Sequence, residues 1–142
     1  MADPSPVLVL TRPERQSREF LADCKARLGA NLRAIVSPVM HIEAVPFGIE
    51  FDHYRTLIVT SANALVYVGT ELAGRRVVTV GEGTAARASE FGADAFCLGE
   101  TVEAFLRNAE NLEGPAIHLR GVHSRGNLAK KLTEQGTVTD EC

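Results

Sequence analysis

The sequence predicts an α/β protein built on a doubly wound parallel sheet. Short apolar runs alternate along the chain with stretches in which apolar residues recur at helical spacing. Strands that are apolar along their whole length are typical of parallel sheets covered by helices on both faces. In addition, several of the runs end in small polar or glycine-rich residues where a helical pattern starts, which is the pattern of a strand-to-helix turn.

The first part of the chain predicts a strand, a helix and a second strand. The strands cover 7–11 and 32–36, and the helix between them starts near Pro13 and ends at Gly29. Proline fits the first turn of a helix, and glycine is favoured just after the last turn. The alternating segment 39–45 reads as an exposed extended stretch, and 46–55 as irregular.

A longer run of strand-helix units starts at Thr56. Thr101 is a good N-cap for one of the helices because its hydroxyl can accept from a free backbone N–H of the first turn. The predicted strands cover 56–60, 76–80, 95–98 and 116–119, with a last one from Thr137, and the predicted helices cover about 62–72, 83–91, 102–110 and 125–135.

Composition and charge narrow the classes of function. Hydrophobic residues make up 45% and charged residues 23% of the 142 residues, which is ordinary for a globular protein. A net charge of −3 gives no basic field for nucleic acid. No apolar run approaches the length of a membrane span, and Met1-Ala-Asp-Pro lacks the features of a signal peptide. We therefore expect a cytoplasmic protein that binds neither nucleic acid nor membrane.

The cysteines and histidines do not indicate a metal centre or a disulfide framework. The three cysteines are widely scattered, and we interpret them as reduced thiols. His118 and His123 are near each other in sequence, but no His-Glu-x-x-His motif or carboxylate cluster accompanies them. We expect no metal, with His118 on a strand and His123 in a loop.

Polar residues follow three of the predicted strands. Thr60 ends the strand predicted at 56–60 and Ser61 comes next, Gly83 and Thr84 follow the next strand, and Arg120 follows the strand at 116–119. Carboxyl ends of parallel strands meet at one edge of a sheet, where helix N-termini and hydroxyls favour anions. The pattern predicts a binding site for a negatively charged molecule, although Ser61 and Thr84 could equally serve as helix caps.

Five motifs in order resemble the uroporphyrinogen-III synthase family. They are Val-Leu-Val-Leu-Thr-Arg-Pro-Glu (7–14), Ser-Pro-Val-Met-His-Ile-Glu (37–43), Val-Thr-Ser-Ala-Asn-Ala (59–64), Val-Gly-Glu-Gly-Thr-Ala (80–85) and Leu-Arg-Gly (119–121). The resemblance implies two flavodoxin-like domains joined by a two-stranded linker. It divides this chain into a partial first domain (1–38), a linker strand (39–46) and a second α/β domain (47–142).

The resemblance also implies a reaction. The family converts hydroxymethylbilane, a linear tetrapyrrole, into uroporphyrinogen III with loss of water and inversion of ring D, and it needs no cofactor. Substrate-binding residues would be Thr60, Ser61, Gly83, Thr84 and Arg120. Arg12, in the first strand-helix loop, is a further candidate, and hydroxymethylbilane synthase is a candidate partner protein.

One feature of the family pattern is not matched. The family places a tyrosine in its second linker strand as the acid for the departing hydroxyl, and Tyr54 and Tyr67 lie elsewhere in this sequence. We therefore assign no catalytic residue. Because the sequence stops at Cys142, before that strand, we expect a fragment with weak or no activity alone and a marginally stable first strand-helix-strand unit.

Two alternatives stay open at this point. Gly81-Glu82-Gly83-Thr84-Ala85-Ala86 fits the dinucleotide fingerprint G-x-G-x-x-[GA] after a strand, with Glu100 at a distance suited to a ribose. The motif comes from a middle unit, however, and not from the opening one. The other alternative is a non-catalytic α/β module that binds a ligand or a partner protein.

Overall fold

The computed structural model describes residues 6–123 and 126–142. The chain divides into two compact units, Met1–Val45 and Pro46–Cys142. The first contains β1 (Leu8–Leu10), α1 (Glu14–Leu28) and β2 (Ala34–Val36), and its two strands pair in parallel. Pro13 precedes α1, and Gly29 follows it with a φ of 110°. Met1-Ala-Asp-Pro, and Arg125 at the start of a predicted helix, lie outside the described residues.

The second unit contains five strands and four α-helices among its described residues, and 3-10 helices at Phe51–His53 and Gly69–Leu72. In order, the strands and α-helices are β3 (Thr56–Val59), α2 (Ala62–Val68), β4 (Arg76–Val80), α3 (Glu82–Glu90), β5 (Asp94–Gly99), α4 (Val102–Asn108), β6 (Ala116–Leu119), α5 (Leu128–Glu134) and β7 (Thr139–Glu141). Every strand pair is parallel. None of the described helices combines the length and the apolar character needed to cross a bilayer.

The strand order is β5-β4-β3-β6-β7. The chain starts in the middle strand, moves outward through β4 and β5, then crosses to β6 and moves outward on the other side. This confirms the predicted doubly wound α/β sheet. Counted within the unit the order is 3-2-1-4-5, as in one mononucleotide-binding half of a Rossmann fold plus its following strands, whereas flavodoxin has 2-1-3-4-5.

Each face of the sheet has its own apolar core. One face buries Leu57, Val59, Val77, Ile117 and Leu119 with α2 and α3; the other buries Ile58, Val78 and Ala116 with α4 and α5. Successive residues of a strand point to opposite faces, which explains how one short strand contributes to both cores. The all-apolar strands of the sequence thus correspond to a sheet that helices cover on both sides.

The predicted helix at 62–72 is wrong at its C-terminal end. The α-helix stops at Val68, and Gly69–Leu72 forms a 3-10 turn. A Cβ added at Gly69 would lie 3.3 Å from the ring of Phe91, so this position brings the backbone close to an aromatic side chain. Local helical spacing cannot reveal such a contact with a residue far along the chain.

Gly99 sets the distance between β5 and α4. A Cβ at this position would lie 2.7 Å from both the Ala104 Cβ and the Phe105 backbone nitrogen. The start of α4 is fixed at the same place, because the Thr101 hydroxyl accepts from the Ala104 N–H at 3.2 Å, as the sequence predicts. The close packing of strand on helix therefore requires glycine.

We predict that Gly99→Ala destabilises the second unit. The added methyl group must push α4 away from β5, and overpacking of this kind costs about 1–3 kcal/mol. Gly48→Ala is the matched control, since a Cβ there would meet nothing within 4 Å. Urea unfolding of the two variants and the parent measures the difference; equal midpoints for all three would show that α4 moves away at no cost.

Candidate functional site

The candidate site lies at the carboxyl ends of β3 and β6, where the winding of the sheet changes direction. The connection from β3 leads to β4 on one side, and β6 pairs with β3 on the other. Ligands of open α/β sheets bind outside the strand ends at such a switch point. Thr60 and Arg120 are the first residues after these two strands.

The register of the sheet brings four polar side chains to one face at this edge. Ile58 is opposite His118, and His118 is opposite Glu141. Because strand side chains alternate between faces, Thr60 and Arg120 follow on the same face two residues further along. The Thr60 Oγ1 and the His118 Nε2 are 3.1 Å apart, at hydrogen-bond distance.

His118 is the buried member of this group, with 4% of its surface exposed. Burial lowers the pKa of its imidazole below the ordinary 6.5; the charge of Glu141 opposes that shift, and Arg120 adds to it. The Nδ1 lies 3.9 Å from the Glu141 Oε1 and has no hydrogen-bond partner among the described residues. The imidazole is therefore neutral at neutral pH.

Arg120 is held by Glu141. Its Nε and Nη2 donate to the Glu141 Oε2 at 3.0 and 2.9 Å. Its Nη1 donates to the carbonyl oxygens of Gly121 and Val122 at 3.1 and 3.4 Å. The charge that the sequence offers to an anion is thus balanced within the protein, and a ligand carboxylate would have to share Arg120 with Glu141.

Ser61, which follows β3, and Thr84, which follows β4, have different local roles. The Ser61 hydroxyl caps α2 by accepting from the Asn63 N–H at 3.4 Å. Thr84 is not a cap: α3 starts at Glu82 after Gly81, and Thr84 lies in the first turn, where its N–H donates to the Gly81 carbonyl at 3.1 Å. Gly83 lies in that same first turn and is exposed.

A carboxylate of the protein occupies the start of α3. The Glu82 N–H donates to the Glu100 Oε1 at 3.1 Å. Gly81, the residue before α3, has a φ of 83°. In a dinucleotide fold the pyrophosphate uses these N–H groups. Glu100 therefore supplies the negative charge that this alternative assigns to a cofactor, which weighs against the alternative.

Glu100 also belongs to a cluster that the sequence did not predict. Ligand atoms of Glu82, Cys97 and Glu100 lie within 4.8 Å of one another, a spacing that could hold a cation. The cap on α3 already explains the position of Glu100, and the Cys97 Sγ lies 3.9 Å from the same carboxylate. All three cysteines are free thiols.

The structure brings five of the six predicted residues to one edge of one sheet. Thr60, Ser61, Gly83, Thr84 and Arg120 follow the adjacent strands β3, β4 and β6. Arg12 is in the first unit, where it is exposed and its carbonyl accepts from the buried Ser17 hydroxyl at 2.9 Å. Substrate binding by these six residues stays a prediction.

Sequence reasoning missed His118 and Glu141 as members of the site. A period of two in Ala116–Arg120 would have placed His118 and Arg120 on the same face of their strand. The position of His118 beside Thr60 and Glu141 depends on the register of β6 with β3 and β7. That register joins segments far apart in the chain and cannot be read from either segment alone.

A groove lies elsewhere in the second unit. This groove has a volume of about 730 Å³ and is lined by Phe47, Val66, Tyr67 and Phe91, among others. It includes none of the predicted site residues. We favour the strand ends as the ligand site, since hydrogen-bonding groups converge there at the switch point.

Tyr54 lies before β3, at the opposite end of the sheet from the candidate site. Its hydroxyl is 2.8 Å from the Asp140 carboxylate.

We predict that His118 makes stability fall in mild acid. Its pKa is lowered in the folded state, so the unfolded chain binds a proton more readily as pH falls below the ordinary 6.5. The free energy of unfolding should decrease below that pH with a slope of at most about 1.4 kcal/mol per pH unit from this group. In His118→Gln the free energy of unfolding should depend less steeply on pH, as measured by urea unfolding from pH 7.5 to 5.

The control variant is His123→Gln, which removes an exposed imidazole. Parallel curves for His118→Gln and the parent would contradict the prediction.

Comparison with known proteins identifies the family. A family model described as uroporphyrinogen-III synthase HemD matches residues 23–142. A search of curated proteins gave no significant match. The crystal structure of uroporphyrinogen-III synthetase from Helicobacter pylori is similar in fold, with a TM-score of 0.56 and 17% sequence identity.

The similarity covers 80% of this chain and 54% of the Helicobacter pylori chain. At this identity it shows the fold, and this chain spans about half the length of that relative. The family match covers most of the sequence, including the strand ends that carry Thr60, Thr84 and Arg120. This chain belongs to the uroporphyrinogen-III synthase family.

Proposed function

We propose that this chain acts in the conversion of hydroxymethylbilane to uroporphyrinogen III. The observation that carries the proposal is the match of the family over 23–142 together with a polar edge at the switch point of the sheet. The reaction is a lyase reaction: a C–O bond of the hydroxymethyl group breaks, water leaves, and ring D is inverted through a spiro intermediate as the macrocycle closes.

The chemistry of the substrate suits a site without strong acids or bases. Once the hydroxyl has left as water, the electron-rich pyrrole rings react readily, so the protein must mainly place the two reacting ends. Hydroxyl groups and one compensated arginine meet that need. The proposal requires no cofactor; the reaction adds or removes no electrons.

Each residue of the edge has a proposed part in placement. Thr60 and Ser61 present hydroxyl groups beside the substrate, and the backbone at Gly83 and Thr84 lines the neighbouring strand end. A propionate or acetate of the substrate would share Arg120 with Glu141, which holds the guanidinium in a fixed direction. Arg12, in the first unit, stays a predicted carboxylate-binding residue.

Three broader features belong to the same proposal. The immediate source of substrate would be hydroxymethylbilane synthase, because hydroxymethylbilane closes without help to the type I isomer. The proposed location is the cytoplasm. The contrasting possibility is a non-catalytic module that binds a ligand or a partner protein, and an activity assay together with tetrapyrrole binding separates it from an enzyme.

We predict that the chain in molar excess over hydroxymethylbilane changes the outcome of cyclisation. Binding should slow formation of uroporphyrinogen I, and type III product should form at least about 100-fold more slowly than with an intact synthase. The reason is that residues 46–142 supply one edge of contacts, and loss of placement costs about this factor. Product isomers are separated chromatographically after oxidation.

Two variants test whether the edge is responsible. Arg120→Gln should weaken the effect on type I formation, whereas Lys130→Gln should leave it intact, since Lys130 is an exposed cation on α5. A type I rate that the chain does not alter would contradict the proposed function. Type III formation at the rate of an intact synthase would instead contradict the argument that one edge is insufficient.

A further inference from the structure

We propose that His118 is a positioning residue that fixes the direction of the Thr60 hydroxyl. In this arrangement the imidazole proton is on Nδ1, facing Glu141, and Nε2 accepts the hydrogen of the Thr60 hydroxyl. The Thr60 oxygen then meets a ligand as a hydrogen-bond acceptor. The sequence analysis grouped Thr60 with hydroxyls that favour an anion, and it did not include His118 in the site.

The position of Nδ1 determines which nitrogen carries the proton. Nδ1 is buried, has no hydrogen-bond partner among the described residues, and lies 3.9 Å from the Glu141 Oε1. If Nδ1 carries the proton, its N–H lies beside the negative charge of Glu141. If Nδ1 carries the lone pair instead, that lone pair faces the same charge and has no hydrogen-bond donor. A buried acceptor next to a carboxylate is unfavourable, so the Nδ1–H form is preferred.

With the proton on Nδ1, the other nitrogen can only accept. The Thr60 Oγ1 lies 3.1 Å from it and is the donor, because a neutral imidazole has one N–H. The hydroxyl hydrogen is thereby committed to His118. The two lone pairs of the oxygen stay available at the carboxyl end of β3.

Burial is the main reason why the imidazole of His118 stays neutral at neutral pH. Among the described residues, the charged groups that act on the imidazole are Glu141 of β7 and Arg120 after β6, which are paired with each other. Burial lowers the pKa of His118, and Arg120 lowers it further. A doubly protonated ring would donate from Nε2 and turn the Thr60 hydrogen outward, so the neutral ring is what makes Thr60 an acceptor.

The consequence for recognition rests on the proposed function. A linear tetrapyrrole offers carboxylates at its periphery and pyrrole N–H groups along its length. An acceptor oxygen at Thr60 attracts a pyrrole N–H and does not attract a carboxylate. The inference therefore assigns Thr60 to a ring of the substrate and leaves carboxylate binding to Arg120.

The imidazole nitrogens report the arrangement directly. Nitrogen-15 NMR of the full chain at pH 7.5 should show His118 as a neutral ring protonated on Nδ1. Thr60→Val, which keeps the shape and removes the hydroxyl, should shift the Nε2 resonance as its hydrogen bond is lost. Thr60→Ser should restore the parent resonance, a rescue that a purely structural role for residue 60 does not predict.

Two outcomes of that experiment overturn the inference. One is a proton on Nε2 in the neutral ring, and the other is an imidazolium at pH 7.5. Neither outcome depends on the enzyme activity. If the tautomer is wrong while hydroxymethylbilane still responds to the chain, the inference fails and the proposed function stands.

A matched pair of small ligands tests what Thr60 accepts. Pyrrole-3-propionate and furan-3-propionate share the carboxylate and differ in the ring N–H. The pyrrole should bind the parent chain about five-fold more tightly than it binds Thr60→Val, the factor expected from one ordinary hydrogen bond. The furan should bind both equally. Equal binding of the pyrrole to both proteins, or no shift at Thr60 with either ligand, would contradict the acceptor role.

Discussion

The parallel pairing of β3 with β6 is the contact on which the rest of the second unit depends. It joins residues about sixty positions apart, such as Ile58 and His118, in the middle of the sheet. The pairing creates the change in winding direction, and because crossovers are right-handed it places α4 and α5 on the face opposite α2 and α3. The sheet therefore has an apolar core on each face. It also places Thr60 beside His118, so the fold and the candidate site have a common origin.

The edge formed in this way is more neutral than a simple anion site. Glu141 pairs with Arg120, and Glu100 accepts a hydrogen bond from the first N–H of α3. Two of the groups that would attract a negative ligand therefore already have an acidic partner within the protein. The polar groups at this edge have fixed orientations, because Glu141 orients the Arg120 guanidinium and His118 orients the Thr60 hydroxyl. That character agrees with a reaction in which placement matters more than charge, since fixed groups lose little entropy when they bind.

The sequence predicted the fold class and most elements because the signals are local. Apolar runs, Gly29 after α1 and the Thr101 cap each depend on a few neighbouring residues. The same applies to the strand ends that carry Thr60 and Arg120. The early end of α2 at Gly69, the carboxylate of Glu100 over α3 and the Thr60–His118 contact could not be predicted, because each needs the register or packing of distant segments. The family resemblance supplied the reaction but did not indicate which protein groups neutralise one another.

The central claim is that a tetrapyrrole binds at the carboxyl ends of β3 and β6. The measurement that tests it most directly is a map of backbone amide shifts in the full chain on titration with uroporphyrinogen III, kept reduced. The account predicts that the largest changes fall at Thr60, Ser61, Arg120 and the adjoining residues of these strands. Changes centred on the turn from Gly81 to Thr84, or on the groove lined by Phe47 and Phe91, would contradict it.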